Sequence, residues 1–206
     1  MTSLMSATIR AMTEIPPVVA DSDRLFDAVQ RLVDGVKPDQ WTSPTPCPDW
    51  NVRELLQHVT NGNVIFATIA TGERAPGPIT AEERAVDWLG ADPSAGFRAT
   101  GKTMHDAFMT AGFLEGRFET PVMGEQTGTT IVHMRMNELL IHGWDLARAT
   151  GQPADLPEDL AEGALRMWQT RLADRPRQGM PFAAPQSVAD AAPAIDRLAA
   201  FLGRQP

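Results

Sequence analysis

The stretch TGTTIVHMRMNELLIHGWDLARATG, residues 127–151, is the part of this sequence that is most informative about the fold. It predicts one long helix, and Gly151 and Pro153 are the residue types that end a helix. Apolar residues occupy nearly every face of that helix, and a helix that is apolar nearly all round is a buried one. The stretch therefore predicts an all-α protein in which this segment lies inside a helical bundle.

Apolar residues recur at helical spacing on both sides of this stretch, and strand signals are nearly absent. We expect an all-α bundle of four long helices with short C-terminal additions. Residues 1–20 read as a loose N-terminal arm, and residues 21–206 as one domain. The other predicted helices span 21–36, 51–72, 93–111, 157–173 and 193–202, with a helical turn near 82–88 and a short extended segment over 116–126.

Composition excludes several classes of protein. The chain has 206 residues, 43% hydrophobic and 21% charged, which is enough to bury a real core. Its formal net charge of -8 argues against nucleic-acid binding, and its single cysteine excludes an internal disulfide framework. No apolar run approaches the roughly 20 residues of a membrane span. We therefore expect no membrane partner and a cytoplasmic location.

The start of the second helix is well marked. Asn51 followed by Glu54 is the pattern of a capping box, and Trp50 and Leu55 stand where a hydrophobic staple would place them. The preceding segment, WTSPTPCPDW (41–50), contains three prolines and predicts a rigid irregular connection. Cys47 in that connection could be a nucleophile or a metal ligand. A small buried thiol is the more economical interpretation.

Ionisable residues form a seam along the buried helix. Arg135, Glu138, His142 and Asp145 follow one another at spacings of three and four, which places them on one stripe of the helix. Burying a carboxylate or a charged imidazole costs several kcal/mol unless it has a partner or a metal ion. The seam therefore predicts either a ladder of ion pairs or a metal site.

A metal site needs three ligands. Glu138 and His142, at i and i+4, can direct a carboxylate oxygen and a ring nitrogen to one point. His58 is the candidate third ligand, because it lies on the apolar side of the second helix, where Gly62 leaves room beside it. The alternative is an ordinary Glu–His surface ion pair together with a satisfied core histidine.

Two further residues of the seam have open roles. Asp145 could accept the second ring N–H of His142 and so select its tautomer, or it could pair with Arg148 or act as a cap. Arg135 could orient an anionic substrate, or it could be a buried partner of Glu138 or Asp145.

Two motifs carry a resemblance to a known family. TPCPDWNVRELLQHV (45–59) followed by NELLIHGWDLARATG (137–151) resembles the DinB-like, mycothiol-dependent maleylpyruvate isomerase family. The chain looks most like the short members of that family, which are metal-binding proteins of unknown function. The resemblance runs from about Arg24 to Leu202.

The resemblance implies an up-down-down-up four-helix bundle that holds a divalent metal, with zinc the expected ion. Matching motif to motif, it implies that the ligands are His58, Glu138 and His142. The mycothiol-dependent isomerases have a longer C-terminal domain, whereas about fifty residues follow the fourth long helix here. The resemblance therefore supports the metal site more strongly than the isomerase substrate.

Three protein ligands leave a coordination position open, as in catalytic zinc sites. The family points to a small thiol in that position as cosubstrate, and hence to a thiol-dependent transferase or isomerase acting on a small molecule. Water in the same position would give a hydrolase. The alternatives are a non-catalytic metal- or ligand-binding bundle and a metal-free ion-pair ladder, and a homodimer is compatible with each.

Overall fold

A computed structural model describes residues 15–121, 123–173, 177 and 182–206 of the chain. It is mostly helical, as predicted, with one antiparallel strand pair. The helices are α1 (Pro17–Asp34), α2 (Val52–Ala70), α3 (Ala81–Ala85), α4 (Pro93–Phe108), α5 (Gly128–Thr150), α6 (Glu158–Leu172) and α7 (Ala194–Phe201), and the strands are β1 (Arg117–Thr120) and β2 (Gly124–Thr127).

Local chemistry explains where these helices begin and end. The side chain of Thr127 accepts a hydrogen bond from the backbone N–H of Thr130 at the start of α5, and Gly151 ends that helix at φ 67°. Asp92 caps α4 in the same way, and Pro93 occupies its first turn. Gly151 is the signal that predicted the end of α5, and the bounds of both helices lie within three residues of the expected ones.

The first helix begins earlier than the sequence indicated. We predicted its start at Asp21, whereas α1 begins at Pro17 and already buries Val19 completely. Two successive prolines read as a break, but a proline in the first turn has no intrahelical partner to lose there. Residues 17–20 of the predicted arm are thus helical, and residues 1–14 lie outside the described residues.

Four long helices enclose the core. α1 and α2 each pack against α4 and α5, so the four helices form a ring around their buried faces. The short helices α6 and α7 pack on each other, and α7 also packs on α5. The buried indole of Trp144 donates a hydrogen bond to Asp196 at 2.7 Å, which attaches α7 to α5.

The strand pair is a small addition ahead of α5. β1 and β2 pair in register from Arg117 with Thr127 to Thr120 with Gly124.

None of the helices that the structure describes is long and apolar enough to cross a membrane. Two residues of the ionisable seam of α5 face α2: Arg135 donates to the Val59 carbonyl, and the His142 ring lies 5.1 Å from that of His58.

Candidate functional site

The segment before α2 is a rigid support for the site. The Asn51 side chain accepts a hydrogen bond from the backbone N–H of Glu54, and Glu54 accepts one from the backbone N–H of Asn51, so the predicted capping box is confirmed. The Thr45 hydroxyl donates to the carbonyls of Cys47 and Trp50. These local bonds place the Cys47 and Trp50 side chains at the N-terminal end of α2, two turns before His58.

Two imidazoles from different helices meet at the centre of the site. The rings of His58 on α2 and His142 on α5 are 5.1 Å apart between centroids and nearly perpendicular, at 83°. Trp50 stacks on His58 at 4.5 Å and lies 6.0 Å from the ring of His142. The structure therefore brings together two of the three predicted ligands under one aromatic wall.

His58 is held in its neutral form. Burial, together with charge repulsion from His142, Arg135 and Arg84, lowers the pKa of His58 to about 3. A neutral imidazole has a free lone pair, which is the form that binds metal ions. The lowered pKa thus favours a role of His58 as a ligand at neutral pH.

Glu138 is held by a buried arginine. Arg135 is 1% exposed, and it donates to the Glu138 carboxylate at 3.0 Å. It also donates to the Val59 carbonyl at 2.7 Å and to the Asn63 side-chain oxygen at 2.6 Å. Of the roles considered for Arg135, the structure shows the buried pairing with Glu138. Its guanidinium does not reach solvent, and Asn63, which anchors it, was missed by the sequence reasoning.

Gly62 makes this pairing possible. A methyl group at Gly62 would lie 2.5 Å from the Arg135 Nη1 atom and 3.4 Å from the Glu138 Oε2 atom. Gly62 is one turn beyond His58 on α2, so the Arg135–Glu138 pair packs against the face of α2 that carries His58. The space that was expected beside His58 is present, and the Arg135–Glu138 pair fills it.

Asp145 is the partner of His142. Its carboxylate is fully buried and lies 3.0 Å from the His142 Nδ1 atom. Arg204 donates to both carboxylate oxygens, at 3.1 and 3.0 Å. Burial alone would raise the pKa of Asp145, but the hydrogen bonds from His142 and Arg204 outweigh it and lower that pKa. The ionised carboxylate therefore accepts from His142 Nδ1, which leaves Nε2 free.

The structure does not pair Asp145 with Arg148, the alternative partner that the sequence suggested. Arg148 pairs with Asp196 at 2.7 Å instead. Arg204, which takes its place, comes from the segment after α7, 59 residues further along the chain than Asp145. No local pattern marks this arginine among the 18 basic residues, so sequence reasoning could not have found it.

Cys47 belongs to the same cluster. Its thiol donates to Asp145 at 3.2 Å, and the ligand atoms of Cys47, His142 and Asp145 all lie within 4.8 Å of one another, a group that could hold a metal ion. Burial and, after it, the charge of Asp145 together raise the pKa of Cys47 to about 12. Arg204 lies 3.7 Å from the sulfur. As placed, Cys47 is a hydrogen-bonding thiol.

Comparison with known proteins identifies relatives of this chain. The mycothiol maleylpyruvate isomerase N-terminal domain family matches residues 22–147. Uncharacterized protein Rv0738 of Mycobacterium tuberculosis strain H37Rv is 35% identical over 182 residues, which cover 88% of this chain and 94% of that protein. Uncharacterized protein MT0763 of Mycobacterium tuberculosis strain CDC 1551 / Oshkosh matches equally well.

Solved structures show the same fold. A crystal structure of the mycothiol-dependent maleylpyruvate isomerase superposes with a TM-score of 0.59 at 15% identity, covering 78% of this chain and 74% of that one. A structure of a mutant of that enzyme superposes with the same TM-score at 14% identity. At such identities the likeness is one of fold.

Proposed function

Since this chain belongs to the mycothiol maleylpyruvate isomerase N-terminal domain family, we propose that it binds a divalent metal ion, zinc, through His58, Glu138 and His142. We further propose that it is an enzyme that uses the ion to activate a small thiol of the mycothiol type for transfer or isomerisation of a small molecule. The observation that supports this proposal most directly is the pair of imidazoles from α2 and α5, whose ring centroids are 5.1 Å apart.

The donor set suits zinc. Zinc takes imidazole nitrogen and carboxylate oxygen, and His58 supplies a neutral imidazole while His142 retains a free Nε2. Glu138 lies one turn before His142, and its side chain is 39% exposed, so its second oxygen is accessible beside the pairing with Arg135. His58, Glu138 and His142 therefore offer the donor types that zinc prefers, which supports the proposal, while the ligand atoms that lie within 4.8 Å of one another are those of Cys47, His142 and Asp145.

A zinc ion with an open position lowers the pKa of a bound thiol, so that the thiol reacts as a thiolate at neutral pH. Neighbouring residues of the protein orient the proposed ligands and limit the access of water. Arg135 fixes the Glu138 carboxylate, Asp145 fixes the tautomer of His142, and the Trp50 indole excludes water from one side of His58. Burial and the charge of Asp145 raise the pKa of the Cys47 thiol, which supports a cosubstrate as the source of the reactive thiol.

Metal content tests the ligand set. The measurement is metal per chain by plasma mass spectrometry on protein purified without a histidine tag or chelator. We expect near-stoichiometric zinc in the wild type and loss of it in His58→Ala and His142→Ala. His133→Ala is the matched control, because His133 is exposed on the same helix as His142. A wild type that takes up no zinc would overturn the proposal.

Two variants distinguish the proposed ligand set from the competing cluster of Cys47, His142 and Asp145. Loss of metal in His142→Ala is common to both ligand sets, but only the proposed set depends on His58. We expect Cys47→Ser to retain its zinc. Zinc lost in Cys47→Ser and retained in His58→Ala would assign the ion to the other cluster.

Thiol activation is tested on cobalt-substituted protein. We expect the visible bands of the cobalt site to shift when a low-molecular-weight thiol is added, because sulfur would enter the coordination sphere. Bands that no such thiol moves, in a protein that binds metal through His58, would indicate a non-catalytic metal-binding bundle.

A further inference from the structure

We infer that Arg204 is a positioning residue of the metal centre, which holds Asp145 and through it sets the orientation and tautomer of His142. The inference rests on the proposed function, since it treats His142 as a ligand. It assigns a role at the centre to the segment that follows α7, outside the part of the chain that the family description matches.

The contacts form a continuous chain of charge-assisted hydrogen bonds. Arg204 donates from Nε to Asp145 Oδ1 at 3.1 Å and from Nη2 to Oδ2 at 3.0 Å. The same Oδ2 atom lies 3.0 Å from His142 Nδ1. A bidentate arginine–carboxylate pair fixes the plane of the carboxylate, so it also fixes the direction from which Asp145 contacts the imidazole.

Burial makes the arginine necessary. The Asp145 side chain is 0% exposed, and that of Arg204 is 12% exposed. The other donors to this carboxylate are the His142 imidazole and the Cys47 thiol, and the thiol carries no charge. Removing Arg204 would leave a buried charge without its cationic partner, so the carboxylate would turn toward water or another donor. His142 would then lose the contact that selects its Nδ1–H form.

The backbone conformation after α7 directs the Arg204 side chain toward Asp145. Gly203 has φ +92°, a conformation that L side chains rarely adopt, and a methyl group there would lie 2.6 Å from the Ala183 Cβ atom. The N–H groups of Gly203 and Arg204 donate to the carbonyls of Ala200 and Ala199, which closes the helix end. The chain therefore reverses at Gly203 and directs Arg204 back toward α5.

The test compares Arg204→Gln with Arg197→Gln. Both variants remove one positive charge from the C-terminal region, but Arg197 pairs with Glu162, away from the site. The first readout is the His142 ring in metal-free protein, by long-range ¹H–¹⁵N NMR. We expect a single Nδ1–H tautomer in the wild type and in Arg197→Gln, and a mixture of tautomers in Arg204→Gln.

The second readout is zinc affinity, by competition with a chromophoric chelator. Loss of a residue that orients a metal ligand typically weakens binding by about 10-fold to 100-fold, and we expect Arg204→Gln to fall in that range. Because Arg204 acts through Asp145, the double variant Asp145→Asn/Arg204→Gln should bind zinc no more weakly than Asp145→Asn alone. Arg204→Lys keeps the charge without the two-pronged contact, and it should fall between the wild type and Arg204→Gln.

The outcomes separate the inference from the proposed function. Wild-type tautomer and wild-type affinity in Arg204→Gln would overturn the inference while the metal site stands, and so would additive losses in the double variant. If the wild type binds no zinc, the proposed function fails, and the tautomer of metal-free protein still decides whether Arg204 orients His142. If Arg204→Gln does not fold, Arg204→Lys decides by the same two readouts.

Discussion

The indole of Trp50 lies on the imidazole of His58, with ring centroids 4.5 Å apart and planes inclined by 28°. Trp50 is the residue immediately before the N-cap of α2, so the segment that starts the helix also covers one of its histidines. From its position before the cap we predicted a hydrophobic staple. In the structure, its indole forms an aromatic wall beside both imidazoles.

Trp50→Ala should weaken zinc binding, because it removes the stacking partner of His58 and admits water to its ring. A stacked aromatic pair contributes about 0.5–1.5 kcal/mol beyond the area that it buries, so we expect a loss of affinity of about 2-fold to 10-fold. Trp50→Phe retains an aromatic face and should retain most of the affinity. Equal affinities of the two variants in the chelator competition would contradict a stacking role.

Gly62→Ala should destabilise the protein and weaken metal binding together. The new methyl group would lie 2.5 Å from the guanidinium of Arg135, which is fully buried and bonded to Val59 and Asn63. Overpacking of this kind costs about 1–3 kcal/mol in the free energy of unfolding, which urea denaturation measures.

The matched control for Gly62→Ala is Gly163→Ala in α6, where a methyl group would meet no atom within 4 Å. Alanine is the better helix former by about 1 kcal/mol, so this variant should be as stable as the wild type or more stable. A Gly62→Ala protein that is as stable as Gly163→Ala would show that the Arg135–Glu138 pair can move.

Alkylation of Cys47 in metal-free protein should be slow and strongly dependent on pH. Its pKa is raised to about 12 by burial first and by the charge of Asp145 second, and only the thiolate reacts. At pH 8 we expect iodoacetamide to react on the order of 1,000-fold more slowly than with an exposed cysteine, as followed by mass spectrometry.

The direction of the pH effect follows from the raised pKa. The reaction rate should rise about tenfold per pH unit between pH 8 and 11, whereas that of an ordinary thiol, with a pKa of about 8.5, levels off above about pH 9.5. Asp145→Asn removes one of the charges that raise the pKa, so it should speed the reaction at pH 8. A plateau near pH 9 in the wild type would mean that the thiol is free of this cluster.

Asn51→Ala should cost about 1 kcal/mol in the free energy of unfolding, because it removes the side-chain oxygen that caps α2. Asn51→Asp provides a cap of the same size and should leave the stability nearly unchanged. Chemical denaturation measures both variants. Equal losses in the two would show that the capping box does not stabilise this helix.

Most of the helices could be predicted because their signals are local. The capping box of Asn51 and Glu54 and the left-handed Gly151 act within one turn of the helices that they bound, so both appear in the sequence as short patterns. Pro17 shows the limit of such reading, since a proline either breaks a helix or opens one. The burial of Val19 in the core decides in favour of the earlier start.

Residues three and four apart share one face of any α-helix, so the sequence was enough to predict the helical class and the stripe that carries Arg135, Glu138, His142 and Asp145. The charged partner of each of these residues could not be predicted, because it depends on how the helices pack. Arg135 pairs with Glu138, one turn away, because Gly62 on another helix leaves the space. Asp145 pairs with Arg204, 59 residues away. Burial requires a partner for each charge, and which partner is close enough depends on how the helices pack.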